Sequence, residues 1–81
     1  MVKVIFYNLL RSKYGITELS VTAGSITEII GQILRDHPKI HAKDFETAVV
    51  FHKGKPYHFS QFSHLVKDGD EIIITHFVGG G

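Results

Sequence analysis

Ser25-Ile26-Thr27-Glu28-Ile29-Ile30-Gly31-Gln32-Ile33-Leu34-Arg35-Asp36 is the stretch that decides the fold. Ile26, Ile29, Ile30, Ile33 and Leu34 recur at helical spacing and make one apolar stripe, while Thr27, Glu28, Gln32, Arg35 and Asp36 face away. Ser25 and Glu28 have the spacing of a capping box, with the Ser25 side chain as N-cap and Glu28 reaching back. Pro38 ends the helix near Asp36 or His37. Gly31 lies off the stripe and costs up to ~1 kcal/mol relative to alanine. Such a helix is about 16 Å long, enough to cross one face of a small sheet. Its single stripe requires one apolar layer to pack on.

The flanking segments supply that layer. Val2 to Asn8 is rich in β-branched and aromatic residues and predicts a strand. Leu9 to Gly15, with Arg11, Ser12, Lys13 and Gly15, predicts a loop. Thr17 to Thr22 alternates strictly, with Leu19 and Val21 on one face, and predicts a strand with one wet side. These two strands form a hairpin. Beyond the helix, Ile40 to Glu46 reads as a polar connection and Thr47 to His52 as a strand. Lys53-Gly54-Lys55-Pro56 is a turn, and Pro56 permits only a short or edge strand after it. Phe59 to Leu65 fits a short 3₁₀ turn or an irregular crossing. Lys67-Asp68-Gly69-Asp70 is a turn, and Glu71 to Val78 is the last strand. One helix over one sheet gives a two-layer α+β domain with a mixed sheet of four to five strands and one main helix.

Composition narrows the function. Eighty-one residues make one domain, and a domain of that size has little room for a deep private active site. The formal net charge is +1, which gives no polyelectrolyte drive toward nucleic acid or membrane. No apolar run approaches the ~20 residues of a membrane span, and the start lacks the plan of a signal peptide, so a cytoplasmic location is expected. The chain has no cysteine, which removes disulfides and thiolate metal sites. Six histidines raise the question of a metal. His37 and His41 straddle Pro38, and His52 and His58 flank a turn where they could meet, but no tight cluster supports a site and no metal is expected. Lys53, Lys55 and Lys67 read as a solvated turn region rather than a nucleic-acid surface.

The chain closes on Gly79-Gly80-Gly81, directly after the last strand. Glycine has no Cβ and suits a backbone that must pass through a narrow space. The expected organisation is a folded domain over residues 1–78 and a flexible glycine tail over residues 79–81 that presents the Gly81 carboxylate.

With these residues in view, the chain resembles the MoaD/ThiS family of ubiquitin-like sulfur carriers, whose fold is the β-grasp. The resemblance spans nearly the whole length. It is sharpest in Leu65-Val66-Lys67-Asp68-Gly69-Asp70-Glu71-Ile72 and in the terminal glycines. The start, Val2-Lys3-Val4 through Leu9-Leu10-Arg11, is similar to the small subunit of molybdopterin synthase. His76-Phe77-Val78-Gly79-Gly80-Gly81 looks more like the thiamine-pathway carrier, and the Pro-Pro that often precedes the molybdopterin-type tail is absent. The recipient pathway therefore stays open.

The resemblance implies a carrier, not an enzyme, though one able to serve as the small subunit of a synthase complex. A ubiquitin-activating-type enzyme would adenylate Gly81 with ATP, and a persulfide donor would convert the acyl-adenylate to a thiocarboxylate. An acceptor synthase of molybdopterin or thiamine-thiazole formation would take the sulfur. No cofactor is bound by the carrier itself, and ATP is used by the activating enzyme. A free carboxylate, with an ordinary pKa of about 3.5, is ionised and a poor electrophile, so activation must come first. Gly79 and Gly80 would thread the tail. Ordering each glycine costs ~1–2 kcal/mol, which docking of the body must offset. Phe77, Val78, Phe59 and Phe62 are the candidates for that docking surface, and the three phenylalanines are equally suited to the core. Two alternatives remain: a protein modifier joined through Gly81 to lysines, and an interaction module with an inert tail.

Overall fold

The structure, a computed structural model, describes residues 1–76. The elements run β1 (Val2–Phe6), α1 (Leu9–Tyr14), β2 (Glu18–Val21), β3 (Gly24–Ser25), α2 (Ile26–Asp36), α3 (Lys43–Glu46), β4 (Val49–His52), β5 (Lys55–Tyr57), a 3₁₀ turn (Phe59–Gln61), β6 (Leu65–Val66) and β7 (Glu71–Thr75). Five strands form one sheet in the order β2-β1-β7-β4-β5. The sheet is mixed: β1 is parallel to β7, and the other neighbours are antiparallel.

Period-two alternation sets which side chains meet the helix. Val2, Val4 and Phe6 of β1, Val21 of β2, Val50 of β4, and Ile72 and Ile74 of β7 are buried together with Ile26, Ile29, Ile30 and Ile33 of α2. Burying each such side chain contributes about 1.5–3 kcal/mol. Leu34 is only half-buried, at the margin of the stripe.

Helix α2 begins as its sequence predicts. Ser25 is the N-cap, its Oγ accepts from the Glu28 N–H at 3.1 Å, and Glu28 Oε1 accepts from the Ser25 N–H at 2.9 Å. The next orphan donors go elsewhere in the chain. Ile26 N–H donates to the His64 carbonyl at 3.0 Å and Thr27 N–H to the Phe62 carbonyl at 2.9 Å. All the first-turn donors, which a helix cannot satisfy within itself, thus have partners. Antiparallel pairing of β3 with β6 fixes the same junction.

Three segments differ from the sequence reading. Leu9 to Gly15 contains a helix rather than a loop. Leu10 is fully buried, and Gly15 closes the helix at φ 68, its N–H donating to the Arg11 carbonyl at 2.8 Å. The connection from Ile40 to Glu46 is not simply polar, because Ile40 and Phe45 enter the core and α3 carries Phe45 there. The described part of the last strand ends at Thr75. Pro56 lies on the edge strand β5, where a missing N–H disturbs the ladder least. No helix among the described residues is long and apolar enough to cross a membrane.

Candidate functional site

The point where the chain leaves β7 is held from two sides. Asn8, just past β1, donates from Nδ2 to Thr75 Oγ1 at 2.8 Å and to the His76 carbonyl at 2.9 Å. Asn8 adopts φ 58 and ψ −128, a region that asparagine tolerates better than most residues. On the other side, His76 Nε2 lies 2.6 Å from the Asp44 carbonyl oxygen. A carbonyl only accepts, so Nε2 carries the proton. His76 is buried, and its Nδ1 has no hydrogen-bond partner among the described residues.

Asp44 connects this exit to α1. Its carboxylate accepts from the Tyr14 hydroxyl and from Lys13 Nζ at 3.3 Å. The Tyr14 hydrogen bond, followed by Lys13, holds the Asp44 carboxyl below its ordinary range. The same pair raises Lys13, chiefly through its hydrogen bond to Asp44. The Tyr14 oxygen also accepts from the His41 N–H at 3.3 Å. Segments from three parts of the chain therefore hold Thr75 and His76 at the end of β7.

The sheet face opposite α2 carries an apolar row. Register places Ile5 beside Ile73, Ile73 beside Phe51, and Phe51 beside Pro56. Ile5, Ile73 and Phe51 are half-buried and Pro56 is exposed. Lys3 and Glu71, paired in register, border the row with charge. An apolar centre with a polar border is the anatomy of a protein-docking surface. The row runs across β7, the strand that leads to the exit.

The candidates read from sequence fall in different places. Gly79, Gly80 and Gly81, together with Phe77 and Val78, lie outside the described residues. Phe62 is 3% exposed and belongs to the core, which removes it from the docking candidates. Phe59 is 56% exposed and meets Phe62 edge to face at 5.7 Å. It borders an apolar cavity of about 230 Å³ with Thr27, Ile30 and Phe45, so it sits on the helix side and not on the Ile5–Pro56 row. His52 does not meet His58 across the hairpin; its ring pairs with His64 and Asp70. Asn8, Tyr14, Asp44 and His76 gave no signal in sequence, because their pairing spans 30 to 68 positions.

Comparison with solved structures places this architecture. A chain of the BexX/CysO complex from Amycolatopsis orientalis superimposes with a TM-score of 0.75 at 22% identity, covering 100% of both chains. Small archaeal modifier protein 1 from Methanosarcina acetivorans gives 0.79 at 24% identity, covering 99% of this chain and 95% of its own. The fold is the ubiquitin-like β-grasp. The protein of the same name from Haloferax volcanii shares this β-grasp at a TM-score of 0.74 and 16% identity, covering 99% and 98%. At these identities the likeness is one of fold. No family model and no curated protein matches the chain.

Proposed function

We propose that this β-grasp protein is a ubiquitin-like sulfur carrier whose working group is the Gly81 carboxylate. The observation that carries the reading is the placement of β7. The strand that precedes the glycine segment lies inside the sheet, between β1 and β4, and Asn8 and His76 pin its exit. The body thereby holds the end of β7 in one place, and in this reading the tail is delivered from there. The apolar row on the opposite face offers the body a docking surface. One fold neighbour supports a body that docks on a partner: it comes from a complex of CysO with a second protein, BexX.

In this reading a ubiquitin-activating-type enzyme docks on the row and draws the tail into its ATP site. A Gly81 oxygen attacks the α-phosphorus and pyrophosphate leaves. A persulfide donor then displaces AMP from the acyl carbon, and a second thiol cleaves the resulting acyl disulfide, leaving a thiocarboxylate on Gly81 and a disulfide on the donor side. An acceptor synthase of cofactor formation, for molybdopterin or thiamine thiazole, takes the sulfur. The carrier is consumed and regenerated and needs no catalytic residue of its own. The modifier names of two neighbours favour a second reading, in which activated Gly81 joins target lysines instead.

Intact-mass analysis after incubation with ATP, a cognate activating enzyme and a sulfur donor tests the proposal. One oxygen should be replaced by sulfur, with fragmentation placing it on Gly81. Sulfur elsewhere, or an unchanged mass with demonstrably active enzymes, overturns it. Isopeptide adducts without thiocarboxylate would select the modifier reading.

A further inference from the structure

A second site lies away from the strand exit, where the β4–β5 hairpin meets the turn before β7. A cavity of about 240 Å³ is bordered there by Lys53, Lys55, Lys67, His64, Tyr57 and Asp70. Three of the nine Lys and Arg residues of a nearly neutral chain thus converge on one concave site. None of these lysines forms an ion pair among the described residues. Asp70, the acid of this cavity, is already engaged: Oδ2 accepts from His52 Nε2 at 2.9 Å and from the Lys67 N–H at 3.2 Å.

The wall behind the lysines is built rather than incidental. The carboxylate only accepts, so His52 Nε2 carries a proton toward it, and His52 Nδ1 and His64 Nε2, 2.9 Å apart, share a hydrogen bond. With His64 Nε2 taken up in that bond, a carboxylate meets the ring only at a protonated Nδ1. Tyr57 stacks on His64 with ring centres 3.9 Å apart and planes at 17°. His64 is thus fixed by Asp70 and His52 from one side and by Tyr57 from the other. Lys53 itself stands at φ 53 in the two-residue turn between the paired His52 and Lys55, a position that asparagine or glycine fills at lower cost.

We propose that this cavity docks an acidic peptide segment of a partner protein, with carboxylates bound by Lys53, Lys55 and Lys67 against the fixed His64 wall. The site does not depend on the tail chemistry above. A nucleic acid fits it less well. Tyr57 already stacks on His64, so it is not a free platform for a base, and a net charge of +1 provides no extended track for phosphates. A small concave site ringed by point charges suits carboxylates on a flexible segment.

The site carries its own reporter. Burial first, then the nearby His52, Lys53 and Lys55, keep His64 less basic than usual. The groups facing it across the cavity are His52 from β4, Lys53 from the turn, Lys55 and Tyr57 from β5, and Lys67 and Asp70 from the turn ahead of β7. A bound carboxylate opposes the cationic contribution, so binding should raise the His64 pKa and should itself strengthen as pH falls.

The experiment is an NMR titration of the full chain at low salt with a short poly-glutamate peptide, reading backbone amides and the His64 ring. Saturable shifts are expected at Lys53, Lys55, Tyr57, His64 and Lys67, with an upward move of the His64 pKa. The Lys53→Gln/Lys55→Gln/Lys67→Gln variant should bind about tenfold more weakly, as expected for three exposed charge contacts. Lys53→Gln alone, checked by its amide spectrum, gives a smaller loss in the same direction. The proposal is overturned by shifts that are absent or lie elsewhere, or by undiminished binding to the triple variant. Equal binding of an oligothymidylate or inorganic phosphate would show a general anion surface and overturn it as well.

Discussion

Asn8 holds φ 58 and ψ −128 while its side chain closes two hydrogen bonds to the end of β7. The two contributions can be separated by substitution. Asn8→Ala loses both hydrogen bonds and places a Cβ-bearing residue in a costly backbone region. Asn8→Gly loses the same bonds but suits the backbone. Urea denaturation should show Asn8→Gly to be the more stable of the two by about 1 kcal/mol, and less stable than the native chain. Equal stabilities would mean that the backbone at Asn8 is unstrained. Asp44 makes a pH-dependent prediction at the same scale. Its carboxyl is held low by Tyr14 and then Lys13, so its stabilising effect is complete above the ordinary carboxylate pKa of about 3.9 and fades as pH falls through the lower folded value. Asp44→Asn should therefore be less stable at neutral pH and lose less on acidification over that window. Asp70, held low chiefly by His52, leaves part of the acid sensitivity in place. Parallel pH curves for native and variant would contradict the assignment.

Legibility in sequence differed by element, and length explains most of the difference. Helix α2 was readable because its eleven residues carry a repeated stripe and a capping box. Helix α1 has six residues, and one buried leucine with a tyrosine four positions on is too little pattern to outweigh Arg11, Ser12, Lys13 and Gly15. The β3–β6 ladder, two residues on each strand, has no period at all. The glycine segment was conspicuous to the eye, whereas Asn8 and Asp44, which hold the end of β7, acquire meaning only once the chain is folded. Within α2 the phase can be tested by pairs of substitutions. Ile29→Ala opens a cavity in the closed core and should cost ~2–5 kcal/mol. Ile30 borders the apolar cavity beside Phe59, so Ile30→Ala should fall at the lower end of that range. Gly31 has open space where a Cβ would stand, and Gly31→Ala should stabilise by up to ~1 kcal/mol. Denaturation midpoints measure all three, and a destabilised Gly31→Ala would show that this face of α2 is covered.

At the scale of the whole molecule, the proposed function would separate holding from delivering. In the proposed function the sheet face docks while the glycines enter the partner, so the two should fail in different kinetic terms. Ile73 is half-buried at the middle of the apolar row, in register with Ile5 and Phe51. Ile73→Thr keeps a β-branched strand former and removes apolar contact area, which weakens docking equally before and at the transition state. In ATP–pyrophosphate exchange by the cognate activating enzyme, it should raise the carrier concentration needed for half-maximal rate and leave the maximal rate nearly unchanged. Gly80→Val does the opposite. It leaves the row intact but adds a branched Cβ where the backbone must thread, so the Gly81 carboxylate no longer reaches the α-phosphorus in line. Its maximal rate should fall steeply at similar half-saturation, and it should compete with the native carrier. If Gly80→Val exchanged at the native rate, the glycines would not be a threading element and the inert-tail reading would take their place. If Ile73→Thr lowered only the maximal rate, the row would not be where the body docks.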